Sequence, residues 1–160
     1  MGGAGFLLNN EMDDFSVKPG APNMYGLVGG EANAIMPNKR MLSSMTPTII
    51  LKEGKPFAVV GTPGGSTIIT SVFQTVLNLI DFNLSTDQAV NQPKFHHQWL
   101  PDVVYIEKAF PETLRKQLEA MGYKFEVRTS IGRTEVIKVN ANGKIEASAD
   151  KRGDDSLAGY

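Results

Sequence analysis

A glycine pair set between an apolar run and an amphipathic run constrains this chain more than any other feature. Phe57 to Val60 is a short apolar stretch, Thr62-Pro63-Gly64-Gly65-Ser66 follows, and from Thr67 to Phe82 apolar residues recur at positions 68, 69, 72, 73, 76, 77 and 80. That pattern predicts a strand, a tight turn and a helix with one broad apolar stripe, in that order. Two glycines leave backbone N–H groups uncovered, and the first turn of a helix adds N–H groups with no partner inside the helix. The turn is either a plain connection between two core elements or a nest for an anion. A carbonyl oxygen that becomes anionic during reaction would also fit such a nest.

The rest of the chain reads as short elements. Thr48 to Lys52 and Pro56 to Gly61 flank Glu53-Gly54-Lys55, which predicts a hairpin. Ser85 or Thr86 caps a second short helix that must end before Pro93. Val103 to Glu107 reads as a strand, and Pro111 opens a helix with Leu114, Leu118 and Met121 on one face and Gly122 as its stop. Strands follow at 124–128, 134–139 and 144–148, the last two joined through Asn140-Ala141-Asn142-Gly143. Near the start, Gly5 to Leu8 reads as a short buried strand. Ser16 to Arg40, dense in proline and glycine, reads as a long loop of the functional or mobile kind. Grouped helices among many strands predict a layered α+β fold, and 160 residues fit one domain, 1–160.

Composition removes several classes of function. A net charge of −1 without basic clusters gives no nucleic-acid surface. The chain has no cysteine, which excludes disulfides, thiolate metal sites and a cysteine nucleophile. No apolar run is long enough to span a membrane, and no dinucleotide, Walker or Gly-x-Ser-x-Gly motif occurs.

Three clusters remain that could carry chemistry. Glu11, Asp13 and Asp14 could hold an ammonium group, bind a cation or solvate a loop; the alternating acids of a calcium loop are absent. Ser43-Ser44, between Leu42 and Met45, either bonds its own backbone or offers two hydroxyls to a carboxylate. His96-His97 has no carboxylate at metal-ligand spacing and reads as structural histidine packed beside Trp99. No segment calls for a metal or an organic cofactor.

Five segments together resemble the small subunit of γ-glutamyltranspeptidase. They are Leu8-Asn9-Asn10-Glu11-Met12-Asp13-Asp14-Phe15, Pro37-Asn38-Lys39-Arg40, Leu42-Ser43-Ser44-Met45-Thr46-Pro47-Thr48, Thr62-Pro63-Gly64-Gly65-Ser66 and Phe95-His96-His97-Gln98-Trp99-Leu100-Pro101. The resemblance runs from about Gly5 to Tyr160. It implies an N-terminal nucleophile hydrolase fold, a layered αββα sandwich of which this chain holds a part. It implies a self-cleaving precursor whose new N-terminal threonine attacks γ-glutamyl amides such as glutathione, with its own α-amino group as base. Asp14, with Glu11, matches the residues that hold the substrate's α-ammonium; many relatives carry Gln where this chain has Glu11. Ser43 and Ser44 match the pair that binds the α-carboxylate. Gly64 and Gly65 match the oxyanion hole, and Pro19 to Gly30 a lid with Tyr25 at its gate.

One departure stands out. The family's nucleophilic threonine lies well upstream of the Asn-Asn-x-Met-Asp-Asp motif, yet no threonine precedes Thr46 here. The expectation is a C-terminal piece of the enzyme, inactive alone, whose partners are the γ-glutamyl substrate, the large subunit and the missing N-terminal part of the small subunit. Its open sheet edges are expected to favour self-association, and its relatives are periplasmic or secreted. The competing expectation is a non-catalytic module that binds amino acids or γ-glutamyl compounds.

Overall fold

In the computed structural model, residue 3 and residues 5–159 are described. They fall into two compact units, Met1–Ser44 and Met45–Tyr160.

The first unit is built from turns. A 3-10 turn spans Glu11–Asp14 and another Glu31–Asn33. The side chain of Asn33 joins distant segments: its Nδ2 donates to the Asp14 carbonyl at 2.7 Å and its Oδ1 accepts from Leu42 N–H at 3.0 Å. The Asn33 carbonyl accepts from Ser16 N–H at 2.9 Å, beside an isolated parallel bridge between Ser16 and Ala34. Between these ties, residues 19–30 close on themselves through Gly20 N–H to Gly29 O at 2.8 Å and Asn23 N–H to Leu27 O at 2.9 Å. Asn23 Oδ1 accepts from Tyr25 N–H and Leu27 N–H, which puts exposed Tyr25 at the tip of this loop. The strand expected over Gly5 to Leu8 does not form, and Phe6, Leu7 and Leu8 are exposed. A strand exists only as a paired element, and no other strand pairs with this run among the described residues.

The second unit holds a four-stranded antiparallel sheet ordered β1-β2-β6-β7. Its strands are β1 (Thr48–Lys52), β2 (Lys55–Gly61), β6 (Glu135–Val139) and β7 (Ile145–Ser148). β1 and β2 form the expected hairpin. Glu53 at φ 52° and Gly54 at φ 74° give the two left-handed residues that a two-residue turn requires to match strand twist. The register slips between Ile50 and Leu51, and Phe57 then rests against the core. α1 (Ile68–Ile80) and α2 (Thr86–Asn91) pack on this sheet, where Ala58, Val60, Val72, Leu79, Val90 and Val136 close the core. The row Thr48, Val60, Val136, Ser148 crosses all four strands on that inner face.

α2 starts where a helix should. Ser85 Oγ accepts from Gln88 N–H, and the Gln88 side chain accepts from Ser85 N–H, a capping box. Glu146 on β7 accepts from Thr86 N–H and Oγ1, both at 2.9 Å, and these bonds from the helix start hold its carboxyl below the usual range.

A smaller sheet orders β3 (Phe95–His96), β4 (Val104–Glu107) and β5 (Phe125–Arg128) as β3-β4-β5, the last pair parallel. α3 (Glu112–Ala120) links β4 to β5, and Gly122 at φ 99° follows its end. The apolar stripe of α1 is only partly used. Val72 and Leu79 are buried, but Ile69 and Phe73 are exposed, because the contact with the sheet runs along Ser71, Val72, Thr75 and Leu79.

Four charged side chains sit among these elements. Arg152 donates to both carboxylate oxygens of Glu107 at 2.6 Å and to Asp150 at 3.0 Å; Lys94 meets Asp150 at 3.3 Å and donates to Val90 O at 2.7 Å. Glu107 also accepts N–H groups of Lys94 and Ile131, and Asp150 that of Thr134. Burial pulls both carboxyls up. The Arg152 guanidinium and backbone N–H groups outweigh burial at Glu107, as the N–H groups of Thr134 and Arg152 do at Asp150, so both lie below their ordinary values of 4.5 and 3.8. Burial, and then Arg152, push Lys94 down.

Arg152→Met is expected to destabilise the fold by about 3–5 kcal/mol, since it leaves two buried carboxylates without their guanidinium. A urea midpoint lowered at constant slope is the readout, and an unchanged midpoint contradicts the assignment. Lowered carboxyl values make the cluster's stabilisation complete above the ordinary values and lost as pH falls through the folded ones. The acid limb of the stability profile is therefore expected to be shallower in Arg152→Met than in the parent.

Candidate functional site

In the first unit, Asp14 ends the 3-10 turn that Glu11 begins. Ser44 Oγ donates to Asp14 Oδ1 at 2.6 Å, across 30 residues of sequence. The fold thus unites two residues that the sequence placed in separate clusters. Asn33 makes the meeting possible, because it holds the backbone at Asp14 with one end of its amide and the approach to Ser44, at Leu42, with the other. Ser43 and Glu11 are exposed. A carboxylate beside a hydroxyl offers an acceptor and a donor at close range. An α-amino acid head presents the complement, an ammonium and a carboxylate two bonds apart. Asp14 can take the ammonium while the freed Ser44 hydroxyl turns to the carboxylate. Ser44 therefore bonds a carboxylate already, not its own backbone.

In the second unit, the glycine pair adopts conformations that other residues rarely reach: Gly64 has φ 147° and Gly65 φ 56°. A Cβ on Gly64 would come within 2.5 Å of Thr67 Oγ1. Thr67 pins the turn by donating to the Gly64 carbonyl through both its N–H, at 3.1 Å, and its hydroxyl, at 2.9 Å. A 3-10 turn over Gly65–Thr67 then leads into α1. Neither Gly64 N–H nor Gly65 N–H donates to a protein acceptor among the described residues. The turn therefore has the uncovered donors that a nest needs.

The loop between β5 and β6 packs against this turn. Arg133 N–H donates to Thr62 Oγ1 at 2.7 Å. Gly132, at φ 67°, approaches so closely that a Cβ there would meet Ser71 Oγ at 2.5 Å and Thr62 Oγ1 at 3.1 Å. An open cleft of about 460 Å³ lies beside the turn, with Gly64, Thr67, Arg128, Ser130 and Arg133 among its lining residues. The sequence reading missed Arg128, Ser130, Gly132 and Arg133. Gly132 was their only local signal, and their partner Thr62 is 71 residues away from Arg133.

His96 is structural, as expected, but its neighbour is Tyr105 and not Trp99. Its ring stacks on Tyr105 at 6.2 Å and 15°, and its nitrogens meet Thr70 Oγ1 and Gln98 Oε1. Burial lowers its pKa and favours the neutral ring. Trp99 points to solvent because β3 ends before it and its backbone turns left-handed, at φ 70°. His97 is exposed, 3.4 Å from Asp102. Among the described residues no cluster suits a metal ion, and no helix is long and apolar enough to cross a membrane.

The family model described as gamma-glutamyltranspeptidase matches residues 1–160. The chain is 56% identical to a glutathione hydrolase proenzyme of Escherichia coli (strain K12), over 99% of this chain and 28% of that protein. Against the solved structure of a Helicobacter pylori gamma-glutamyltranspeptidase mutant it gives a TM-score of 0.89 at 53% identity, covering 96% of this chain and 84% of that one. The Pseudomonas nitroreducens gamma-glutamyltranspeptidase complexed with L-DON gives 0.90 at 45% identity, covering 100% and 84%. The chain thus spans 28% of the length of the first curated relatives it matches.

Proposed function

The chain belongs to the γ-glutamyltranspeptidase family, and from that premise we propose that the protein carrying it cleaves γ-glutamyl amides such as glutathione. It passes the γ-glutamyl group to water, an amino acid or a peptide through an acyl-threonine intermediate. The observation that carries this reading is the Gly64–Gly65 turn, whose two N–H groups are uncovered in conformations suited to glycine.

In this reading a threonine hydroxyl supplied from outside these 160 residues attacks the γ-carbonyl carbon. Its proton passes to the threonine's own α-amine. The carbonyl oxygen becomes an oxyanion that accepts hydrogen bonds from Gly64 N–H and Gly65 N–H. The C–N bond then breaks, the leaving amine takes the proton, and the oxygen returns to a carbonyl in the acyl-threonine. Water or a second amine repeats the attack and releases the threonine. Asp14 holds the α-ammonium of the glutamyl group, with Glu11 nearby in the same 3-10 turn, and Ser43 and Ser44 bind its α-carboxylate. Tyr25, at the tip of the 19–30 loop, acts as a lid over bound substrate. The large subunit and the segment with the nucleophile complete the enzyme, in the periplasm or outside the cell, and the 160 residues by themselves are inactive.

Two substitutions in the full-length protein test the assignment. Gly65→Pro removes one oxyanion donor and, because proline cannot adopt φ 56°, also shifts the turn that aims Gly64 N–H, so kcat for a γ-glutamyl anilide is expected to fall at least roughly 10²–10³-fold. A change confined to KM sinks the oxyanion role. Asp14→Ala removes a charge-assisted bond of about 1.5–3 kcal/mol, so KM is expected to rise on the order of tenfold to a hundredfold. Unchanged kinetics in a folded Asp14→Ala protein would refute the ammonium role.

A further inference from the structure

Resting on the γ-glutamyl transfer reading above, we propose that the cleft beside the Gly64 turn is a carboxylate site for the amine half of the reaction. Arg128 holds the carboxylate of the amino acid or peptide that leaves the γ-glutamyl group or attacks it.

The cleft carries two guanidinium groups with different surroundings. Arg133 is neutralised: its Nε lies 2.9 Å from Asp155, and its side chain lies 3.5 Å from Asp154. Arg128 has no carboxylate partner among the described residues. Its guanidinium carbon sits 3.5 Å from the centre of the Tyr105 ring, a cation–π contact. The other side of that ring system is fixed too, because Tyr105 stacks on buried His96, which Thr70 and Gln98 hold in turn. Arg128 is therefore a guanidinium without a carboxylate partner among the described residues, held in one plane at the edge of an open cleft. An ordinary surface arginine keeps its charge mobile in water. A pinned guanidinium offers a planar fork that matches a carboxylate.

The rest of the wall fits the same guest. Ser130 adds a hydroxyl, and Gly64 borders the cleft on the side of the proposed oxyanion nest. A volume of about 460 Å³ suits an amino acid or a dipeptide. The amine that leaves and the amine that attacks pass through the same transition state in opposite directions. One carboxylate site beside the reacting carbon therefore serves both.

Equilibrium binding reads this preference without turnover. Titrate the full-length protein with glycylglycine and with glycylglycinamide, which differ only in the charge of the terminal group. The parent is expected to bind the acid about tenfold or more tightly than the amide. Arg128→Gln is expected to bring the two affinities together, Arg128→Lys to keep part of the preference, and Ser130→Asp, on the exposed loop, to reverse it. Should Arg128→Gln fail to fold, Ser130→Asp carries the test. No acid preference in the parent, or a preference that survives both Arg128→Gln and Ser130→Asp, overturns the proposal.

Kinetics with γ-glutamyl-glycine against γ-glutamyl-glycinamide as donor, and with the same dipeptide pair as acceptors, then separate the sources. A lowered acid-to-amide ratio of kcat/KM in the donor arm marks the leaving amine, and in the acceptor arm the attacking one. Acid preference in binding without any turnover of γ-glutamyl compounds defeats the transfer reading while the carboxylate site stands.

Discussion

The bond between Glu107 and Arg152 governs the larger unit. Glu107 lies at the end of β4 and uses both oxygens, each taking one guanidinium N–H and one backbone N–H. One of those N–H groups belongs to Lys94, ahead of β3, and the other to Ile131, next to Gly132. Arg152 extends the reach by donating to the carbonyls of Val90 and Gln92 at the end of α2. One ion pair therefore ties two strands, a helix end, the chain's last segment and the β5–β6 loop. Removing charges from water is costly, and a buried pair of this kind adds little net stability over an apolar replacement. What it does provide here is position. With Ile131 held by Glu107 and Thr134 by Asp150, Gly132 and Arg133 have little freedom, and they form the wall against which the Gly64 turn is set.

Local chemistry was legible in the sequence, and distant chemistry was not. Glu53-Gly54 announces its hairpin, Ser85 with Gln88 its helix start, and Gly64-Gly65 its turn, because each is decided within four residues. Gly5 to Leu8 fails by the same rule. Its apolar pattern is strand-like, but a strand also needs a partner edge, which composition does not encode. Half of the apolar stripe on α1 misleads in a related way, since periodicity cannot say which of two adjoining faces meets the sheet. The charged cluster is silent: Lys94, Glu107, Asp150 and Arg152 look like ordinary surface residues until folding closes separations of 45 and 56 positions. The Asp14–Ser44 contact was visible only as two clusters. Resemblance to a family joined them by role, and Asn33 supplies the physical reason they meet.

The four-stranded sheet has an apolar outer face as well as an apolar inner one. Ile49, Val59, Ile137 and Ala147 lie side by side across β1, β2, β6 and β7, and the first three are exposed. An antiparallel sheet with one face in water alternates apolar and polar residues, and this one does not. Apolar residues on both faces are the mark of an inner layer. The solved relatives share the fold of N-terminal nucleophile hydrolases, in which two sheets stack between helices. Stacking a second sheet on this row would bury it, and Ile69 and Phe73 on α1 are likewise apolar and exposed.

The two proposed sites are ordered in the same way, each by a neighbouring side chain. Asp14 and Ser44 satisfy one another at 2.6 Å, so neither is left without a partner before a ligand arrives. Under the proposed function, an amino-acid head would exchange that single bond for two charge-assisted ones, and the groups need only turn. At the glycine turn the carbonyl of Gly64 is tied down by Thr67, which fixes the peptide planes while the N–H groups stay uncovered. In each case a nearby residue does the ordering, Asn33 for one and Thr67 for the other. The entropy of ordering these groups is then met on folding, and less is taken from the energy of binding. Loss of Asn33 or Thr67 would therefore loosen geometry before it removed any contact to a ligand.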